Sequence, residues 1–280
     1  MRFQVTDELT LFAESVRASI GDWRAPLEPE LGSWQDDRDD ELAARVSAAG
    51  WSELWSADEL LGAVVGGGIE LGRAAAPLSL VDEATLGAPL WVEGRARHAR
   101  GAQSVAVPLR GGGLGLGPPS SEARPEPTLD GTGTVRVEVE AIGRLEPVAA
   151  AACWRAWNAA TLGYLAGLAE RALALAVEHA RAREQFGAPL AALPAVQSRL
   201  ADAALATDAI TLLAWAAASN DDGLQEPELR FAGSACCDVV ASSHQVHGAV
   251  GFALETGLHA YHRRARSVHA WASAASAAAR

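Results

Sequence analysis

The chain has 280 residues, 49% apolar and 21% charged, enough to bury a core in one large domain or two smaller ones. Its formal net charge of −12 argues against nucleic acid as the main partner and against an anionic membrane surface, since both call for a basic face. All 23 basic residues are arginine, so lysine chemistry is excluded, from Schiff bases to a phosphate-loop lysine. Three cysteines, Cys153, Cys236 and Cys237, give no disulfide framework and point to a reducing compartment. The first residues lack the apolar run of a signal peptide. The most apolar stretches carry charges such as Glu170, Arg171 and Glu178. A cytoplasmic protein without a membrane span is expected.

Residues 1–88 read as helical. Leu9, Phe12, Val16 and Ile20 recur at spacings of three and four and draw an amphipathic stripe. Pro26 disfavours helix at the residue before it, so Trp23, Arg24 and Ala25 close that helix. Asp36, Asp37, Asp39 and Asp40 form an acidic run ahead of a second helix over 41–49. Negative charge suits a helix amino terminus, and the run reads as a solvated cap rather than a metal site. Gly50 stops this helix. A third helical stretch over 60–76 is interrupted by Gly66, Gly67 and Gly68.

Residues 89–146 change character. Residues 104–109 look like a strand, and 134–140 alternate apolar and charged residues as a half-exposed strand does, after an Asp130-Gly131 turn. The Gly-, Pro- and Ser-rich residues 111–127 read as loop; their three successive glycines lack the basic residue and helix start of a phosphate loop. Residues 147–280 are helical again, over 147–183, 192–219, 227–246 and 255–279, with Asn220, Asp221, Asp222 and Gly223 closing the second helix. Leu162, Leu165, Leu168, Ala172 and Leu175 form a packing stripe on the first. Four long helices with short connections make an antiparallel bundle. The expected fold is mainly α with a small β part: a helical domain over 1–88, a short middle β domain over 89–146 and a four-helix bundle over 147–280.

The bundle holds the informative residues. Arg183, Gln185, Phe186 and Gly187 stand in an Arg-x-Gln-Phe-Gly run, followed by Pro189 and Leu190 and then by Gln197, Leu200, Ala201 and Asp202. Gln245, Gly248 and Gly251 stand in Gln-Val-His-Gly-Ala-Val-Gly-Phe. Together with Ala49-Gly50-Trp51 and Glu70-Leu71-Gly72-Arg73 in the first half, these stretches resemble the acyl-CoA dehydrogenase family. The resemblance implies that family's helix–sheet–helix fold and an FAD cofactor. An arginine fork suits pyrophosphate oxygens, Phe186 can cover part of the cofactor, and Gln245 can donate and accept. Glycines at 248 and 251 would let the backbone approach a bulky ligand. In the family such residues grip the adenosine-diphosphate half of an FAD whose flavin lies in the neighbouring subunit. Arg183, Gln185, Phe186, Gly187, Gln245, Gly248 and Gly251 are therefore expected to form half of an interface site.

Three departures set the chain apart from that pattern. The family's second glycine is Ala249, and its following Arg-Asp is Arg263-Arg264. The family's glutamate base, in a Tyr-Glu-Gly-Thr setting, falls on Ala272, and alanine accepts no proton. The alternative base position on the first bundle helix, near Trp154, Arg155, Ala156, Trp157 and Asn158, has no carboxylate. The middle domain is short and shows no flavin-contacting Trp-Ile-Thr-Asn segment. These losses resemble the non-catalytic subunits of the heterotetrameric acyl-CoA dehydrogenases of actinobacterial steroid side-chain breakdown. The resemblance implies an α2β2 partnership with a longer subunit that supplies the base. It also implies an acyl-CoA substrate, a steroid side-chain thioester being one case, and an electron-transfer flavoprotein as acceptor. Two other readings stay open: a base-less homodimeric scaffold or binding module, and a flavoenzyme of different chemistry on the same fold.

Other constellations read as structural. His244 and His247, and His259 and His262, could share helical faces, but no His-Glu-x-x-His zinc pattern is present and no metal is expected. Cys236 and Cys237 read as packing, and the nine tryptophans as core and interface anchors.

Overall fold

The computed structural model describes residues 6–25, 38–56, 60–99, 101–128, 133–219 and 225–280, with no side chains for 54–56. Helix α1 (Asp7–Ile20) opens on Thr6, whose hydroxyl oxygen accepts from the Leu9 N–H at 3.4 Å. It stops at Gly21, φ 56°, before the expected Trp23. Helix α2 (Asp40–Ala48) starts at Asp39, which satisfies two donors at once: Leu42 N–H at 2.8 Å and Trp23 Nε1–H at 2.9 Å. The acidic cap is therefore Asp39; Asp36 and Asp37 lie outside the described residues, as does Pro26.

Helix α3 (Leu61–Arg73) follows a 3-10 turn (Trp51–Ser56) and runs unbroken through Gly66, Gly67 and Gly68. The expected interruption is absent. Glycine weakens an isolated helix by about 1 kcal/mol per residue, but here it permits contact. A Cβ on Gly68 would lie 2.7 Å from the Ala160 carbonyl oxygen, and one on Gly67 would lie 2.5 Å from the Trp51 ring. Helix α4 (Ser79–Leu86) completes this part and ends on Gly87 in the left-handed region.

Among the described residues seven short strands follow: β1 (Trp91–Val92), β2 (Arg95–Ala96), β3 (Val105–Leu109), β4 (Gly113–Gly117), β5 (Arg124–Pro125), β6 (Val135–Arg136) and β7 (Gly143–Arg144). They form one sheet in the order β1-β2-β6-β5 and another in the order β3-β4-β7. Two expectations are corrected. The supposed loop over 111–127 contains β4, paired along its whole length with β3 from Val105↔Gly117 to Leu109↔Gly113. Its glycines leave room for neighbours; a Cβ on Gly117 would meet Val139 at 2.6 Å. The expected strand over 134–140 shrinks to β6 plus an isolated bridge between Pro119 and Val139. The Asp130-Gly131 turn lies outside the described residues.

Helix α5 (Pro147–Ala182) is 36 residues long and starts with proline, whose missing N–H costs nothing there. A hairpin of β8 (Glu184–Gln185) and β9 (Ala188–Pro189) leads to α6 (Pro194–Ala217). Then come α7 (Glu226–His247), two 3-10 turns (Gly248–Phe252 and Leu254–Thr256) and α8 (Leu258–Ala279). The last helix starts three residues later than expected, because the second turn occupies its first residues. Asn220 to Gly223 lie outside the described residues.

One large core joins the first helices to the bundle, with Val16, Leu71, Trp154, Trp157, Leu165 and Val240 among its buried members. A separate small core of Ala96, Ala99, Val105, Val107, Val135 and Val137 holds the strands. Helices α5 and α6 are each long and apolar enough to cross a membrane by length and composition alone. In the most apolar stretch of α5, 67% of residues are buried inside the molecule, against 28% for α6.

Candidate functional site: the hairpin after α5

The carboxyl end of α5 and that of α7 meet side by side. His179 on α5 stacks on His247 of α7, ring centroids 4.3 Å apart and planes 24° from parallel. Beneath them Ala176, Ala180 and Val246 form a small core with Leu190, Val196 and Leu200. This packing brings together the two sequence stretches that carried the resemblance, the Arg-x-Gln-Phe-Gly run and the Gln245 to Gly251 run.

Arg183 caps α5. Its N–H donates to the His179 carbonyl at 2.8 Å, and its own carbonyl accepts from Leu190 N–H at 2.8 Å. The backbone is thus fixed at both ends while the side chain is exposed. Its guanidinium has no hydrogen bond or ion pair among the described residues. Glu184 and Gln185 pair with Pro189 and Ala188, which leaves Phe186 and Gly187 as a two-residue turn. Both have positive φ, 56° and 81°, as the preferred hairpin turn requires. Glycine adopts this freely. Phenylalanine there costs on the order of 1 kcal/mol, and its ring is 91% exposed.

Gln245 is exposed at the end of α7, and Gly248 ends that helix at φ 63° with open space where a Cβ would be. Gly251 differs from the sequence reading. It is buried, and a Cβ there would sit 2.9 Å from the His244 carbonyl oxygen and 2.9 Å from His247 Cβ. Its missing side chain serves the fit of the 3-10 turn under α7. Ala249 is exposed, whereas Arg264 is 3% exposed.

The histidines beside this site are the residues that sequence reasoning treated only as possible ligands. His244 meets His262 edge to face at 5.4 Å and Phe252 at 5.5 Å. Among the described residues no group of three or more His, Cys, Asp or Glu is placed to hold a metal ion. Burial lowers the His179 imidazole below its ordinary value, helped by His247 and Arg183. Burial also lowers His244, against backbone hydrogen bonds at Gly251 and Leu258 that act in the opposite direction, and it lowers His262, where His244 and Arg266 add to it. A histidine with a lowered folded pKa binds fewer protons folded than unfolded. Its stabilising contribution is complete above the ordinary value and is lost as pH falls through the window down to the folded pKa. The urea midpoint is therefore expected to fall between about pH 7 and about pH 5, and His179→Gln should flatten that fall. A wild-type slope in the variant would remove His179 from this account.

The position where the resemblance puts a base is closed. Ala272 is 2% exposed in the middle of α8, and its carbonyl accepts from the Ser276 hydroxyl at 2.8 Å. Trp271 beside it lies under the Arg97 guanidinium, 5.5 Å from ring centroid to Cζ. Arg97 forks onto Asp82 with two bonds of 2.6 Å, and Asp82 accepts from Trp157 Nε1 at 3.0 Å. Trp154 and Trp157, on the stretch of α5 that would hold an alternative base, are fully buried and pack edge to face at 5.6 Å. The three thiols are buried too, and burial raises each of them, which leaves them inert.

Residues 157–272 match the sequence profile of the acyl-CoA dehydrogenase C-terminal domain. The chain is similar to the 3-sulfinopropanoyl-CoA desulfinase of Paraburkholderia xenovorans (strain LB400), at 35% identity over 121 residues. That match covers 40% of this chain and 31% of the relative, so the chain spans about a third of the relative's length. The fold extends the likeness to the whole chain. A chain of the Tcur3481-Tcur3483 steroid ACAD G363A variant superposes with a TM-score of 0.77 and 21% identity, over 97% of this chain and 95% of that one. A chain of the ChsE4-ChsE5 complex from Mycobacterium tuberculosis superposes with a TM-score of 0.71 and 18% identity, over 99% and 96%. At these identities the superpositions establish the acyl-CoA dehydrogenase fold, mainly α with a small β part, and nothing finer.

Proposed function

We propose that this chain is the FAD-assisting subunit of a heteromeric acyl-CoA dehydrogenase, paired with a longer related subunit that supplies the catalytic base. The observation that carries the reading is the hairpin after α5. It holds an exposed guanidinium with no partner among the described residues beside a phenylalanine ring 91% exposed on a costly turn. A charge and an apolar ring presented together at the tip of a rigid element are suited to a ligand that is both anionic and flat.

These residues fit the adenosine-diphosphate half of FAD. Arg183 would pair with pyrophosphate oxygens, Phe186 would cover the cofactor, and Gln185 and Gln245 would donate or accept at its polar edges. The open space at Gly248 admits close approach, while Gly251 supports the turn from inside. When bound, FAD supplies hydride acceptance in an α,β-dehydrogenation. This chain's residues would bind and orient its nucleotide end; neither Ala272 nor the Trp154 to Asn158 stretch offers a group to take the α proton.

The partner surface has support of its own. Helix α6 exposes Leu205 at 69% and Leu212 at 70%, an apolar face that a second chain would cover. An α2β2 complex in the cytoplasm suits this arrangement, with an electron-transfer flavoprotein as acceptor and an acyl-CoA as bulky as a steroid side-chain thioester as substrate. The experiment is co-expression with a longer acyl-CoA dehydrogenase-like chain. Yellow, FAD-containing protein should purify only when both chains are present. Arg183→Ala should weaken FAD retention by about tenfold or more while the complex stays assembled on size exclusion. Full flavin in that variant would overturn the reading, as would stoichiometric FAD on the lone chain.

A further inference from the structure

A cleft of about 700 Å³ opens between the ends of α1 and α3, the middle of α5 and the start of α8. Arg17, Arg24, Arg73 and Arg171 line it, against Glu70 and Glu255. Glu170 and Glu178 also pair with cations of this lining, so what distinguishes the cleft is how its arginines are held.

The four arginines are not equivalent. Arg17 reaches both oxygens of Glu70 at 2.8 Å, and Arg73 reaches Glu70 and Glu170. Glu70 is only 4% exposed, so these two guanidinia are committed to building the wall. The other two are loosely held. Arg24 donates to the carbonyl of its own neighbour Trp23 at 2.7 Å. Arg171 pairs with Glu178 at 3.2 Å, and both side chains are well exposed, at 41% and 63%. Exposed pairs of this kind are weak and exchange readily. Tyr261 lines the same cleft. Its hydroxyl donates to the Arg73 carbonyl at 2.8 Å. Burial raises its pKa, while Arg171 and Arg24 both act on the same hydroxyl in the opposite direction.

We propose that this cleft is a binding site for a small phosphate monoester, gripped between Arg24 and Arg171. A monoester carries a charge of about −1.5 to −2 near neutral pH, which matches two guanidinia once the exposed Arg171–Glu178 pair and the Arg24 bond to the Trp23 carbonyl give way. A carboxylate would leave one of them unmatched. Planar forks suit its oxygens, and the volume lies within the range of small-molecule sites. Ile20, Ala25, Leu175 and Ala260 on the same lining give the organic part an apolar rest. The assignment does not rest on the FAD reading.

The test is calorimetric titration of the full chain with phenyl phosphate, with benzoate as the monoanion control and no flavin present. Saturable binding is expected, about tenfold tighter for phenyl phosphate than for benzoate. Arg24→Ala and Arg171→Ala should each weaken it about tenfold with an unchanged melting temperature. Arg45→Ala, on the exposed face of α2, should bind as the wild type does. Failure to saturate would overturn the assignment. So would equal affinity for benzoate, or a loss that follows Arg45 rather than Arg24 and Arg171.

Discussion

Arg97→Met is expected to destabilise the fold by about 3–5 kcal/mol, the range for removing one partner of a buried ion pair. In thermal unfolding of a chain this long, that is on the order of 10 °C. Asp82 is fully buried and Arg97 is 2% exposed. Taking both charges out of water is costly, and their fork of two 2.6 Å bonds compensates only while both are present. Methionine matches the arginine stem in length but leaves the Asp82 carboxylate alone in the core, with only the Trp157 indole and the Leu90 N–H to face it. The double variant Arg97→Met/Asp82→Asn should recover more than half of the loss. It removes the orphaned charge and keeps an acceptor for Trp157. Urea unfolding followed by tryptophan fluorescence measures both variants. A loss under about 1 kcal/mol for the single variant would mean that the pair is solvated, and the closed interior beside Ala272 would lose its main support.

That cluster also marks where the sequence stopped being legible. Asp82 and Arg97 are 15 residues apart on different elements, and Trp271 lies far beyond both. No periodicity or motif links three such residues; only the packing of α4, α5 and α8 brings them together. Helix positions were legible because their signals are local, as in the spacing of Leu9, Phe12, Val16 and Ile20. The Arg-x-Gln-Phe-Gly run was legible as well, but not the hairpin turn that it makes, since Phe186 sits at a φ of 56° that its own side chain disfavours. Glycine was the residue most often misread. Gly66 to Gly68 looked like a helix break and Gly113 to Gly117 like a loop. At Gly67, Gly68, Gly115 and Gly117 a neighbour's backbone or side chain, invisible in one dimension, takes the place of the missing Cβ.

Gly167→Ala tests the same point with the opposite sign from ordinary helix propensity. In an isolated helix this change gains about 1 kcal/mol. Here α3 and α5 touch backbone to backbone along Gly68, Gly72, Gly163 and Gly167. A Cβ on Gly163 would lie 2.5 Å from the Val65 carbonyl oxygen, and one on Gly167 would fall onto that of Ile69 and lie 2.8 Å from Arg73 N. No rotamer change relieves a clash between two backbones, so the helices must separate. That separation loosens the Tyr164 hydroxyl bond to the Ala76 carbonyl, 2.5 Å long, and the Glu70–Arg73–Glu170 network. Overpacking costs are typically 1–3 kcal/mol, and a backbone clash belongs at or above the top of that range, so a net loss of about 3 kcal/mol is expected. Gly66→Ala on the facing helix is the control. Its Cβ would meet Ala13 Cβ at 3.4 Å, an ordinary contact, so that variant should be neutral or gain up to about 1 kcal/mol. Equal effects at the two positions would contradict the seam. A loss confined to Gly167 would show that close helix contact fixes α5, and α5 is the element that carries Arg183 at its end.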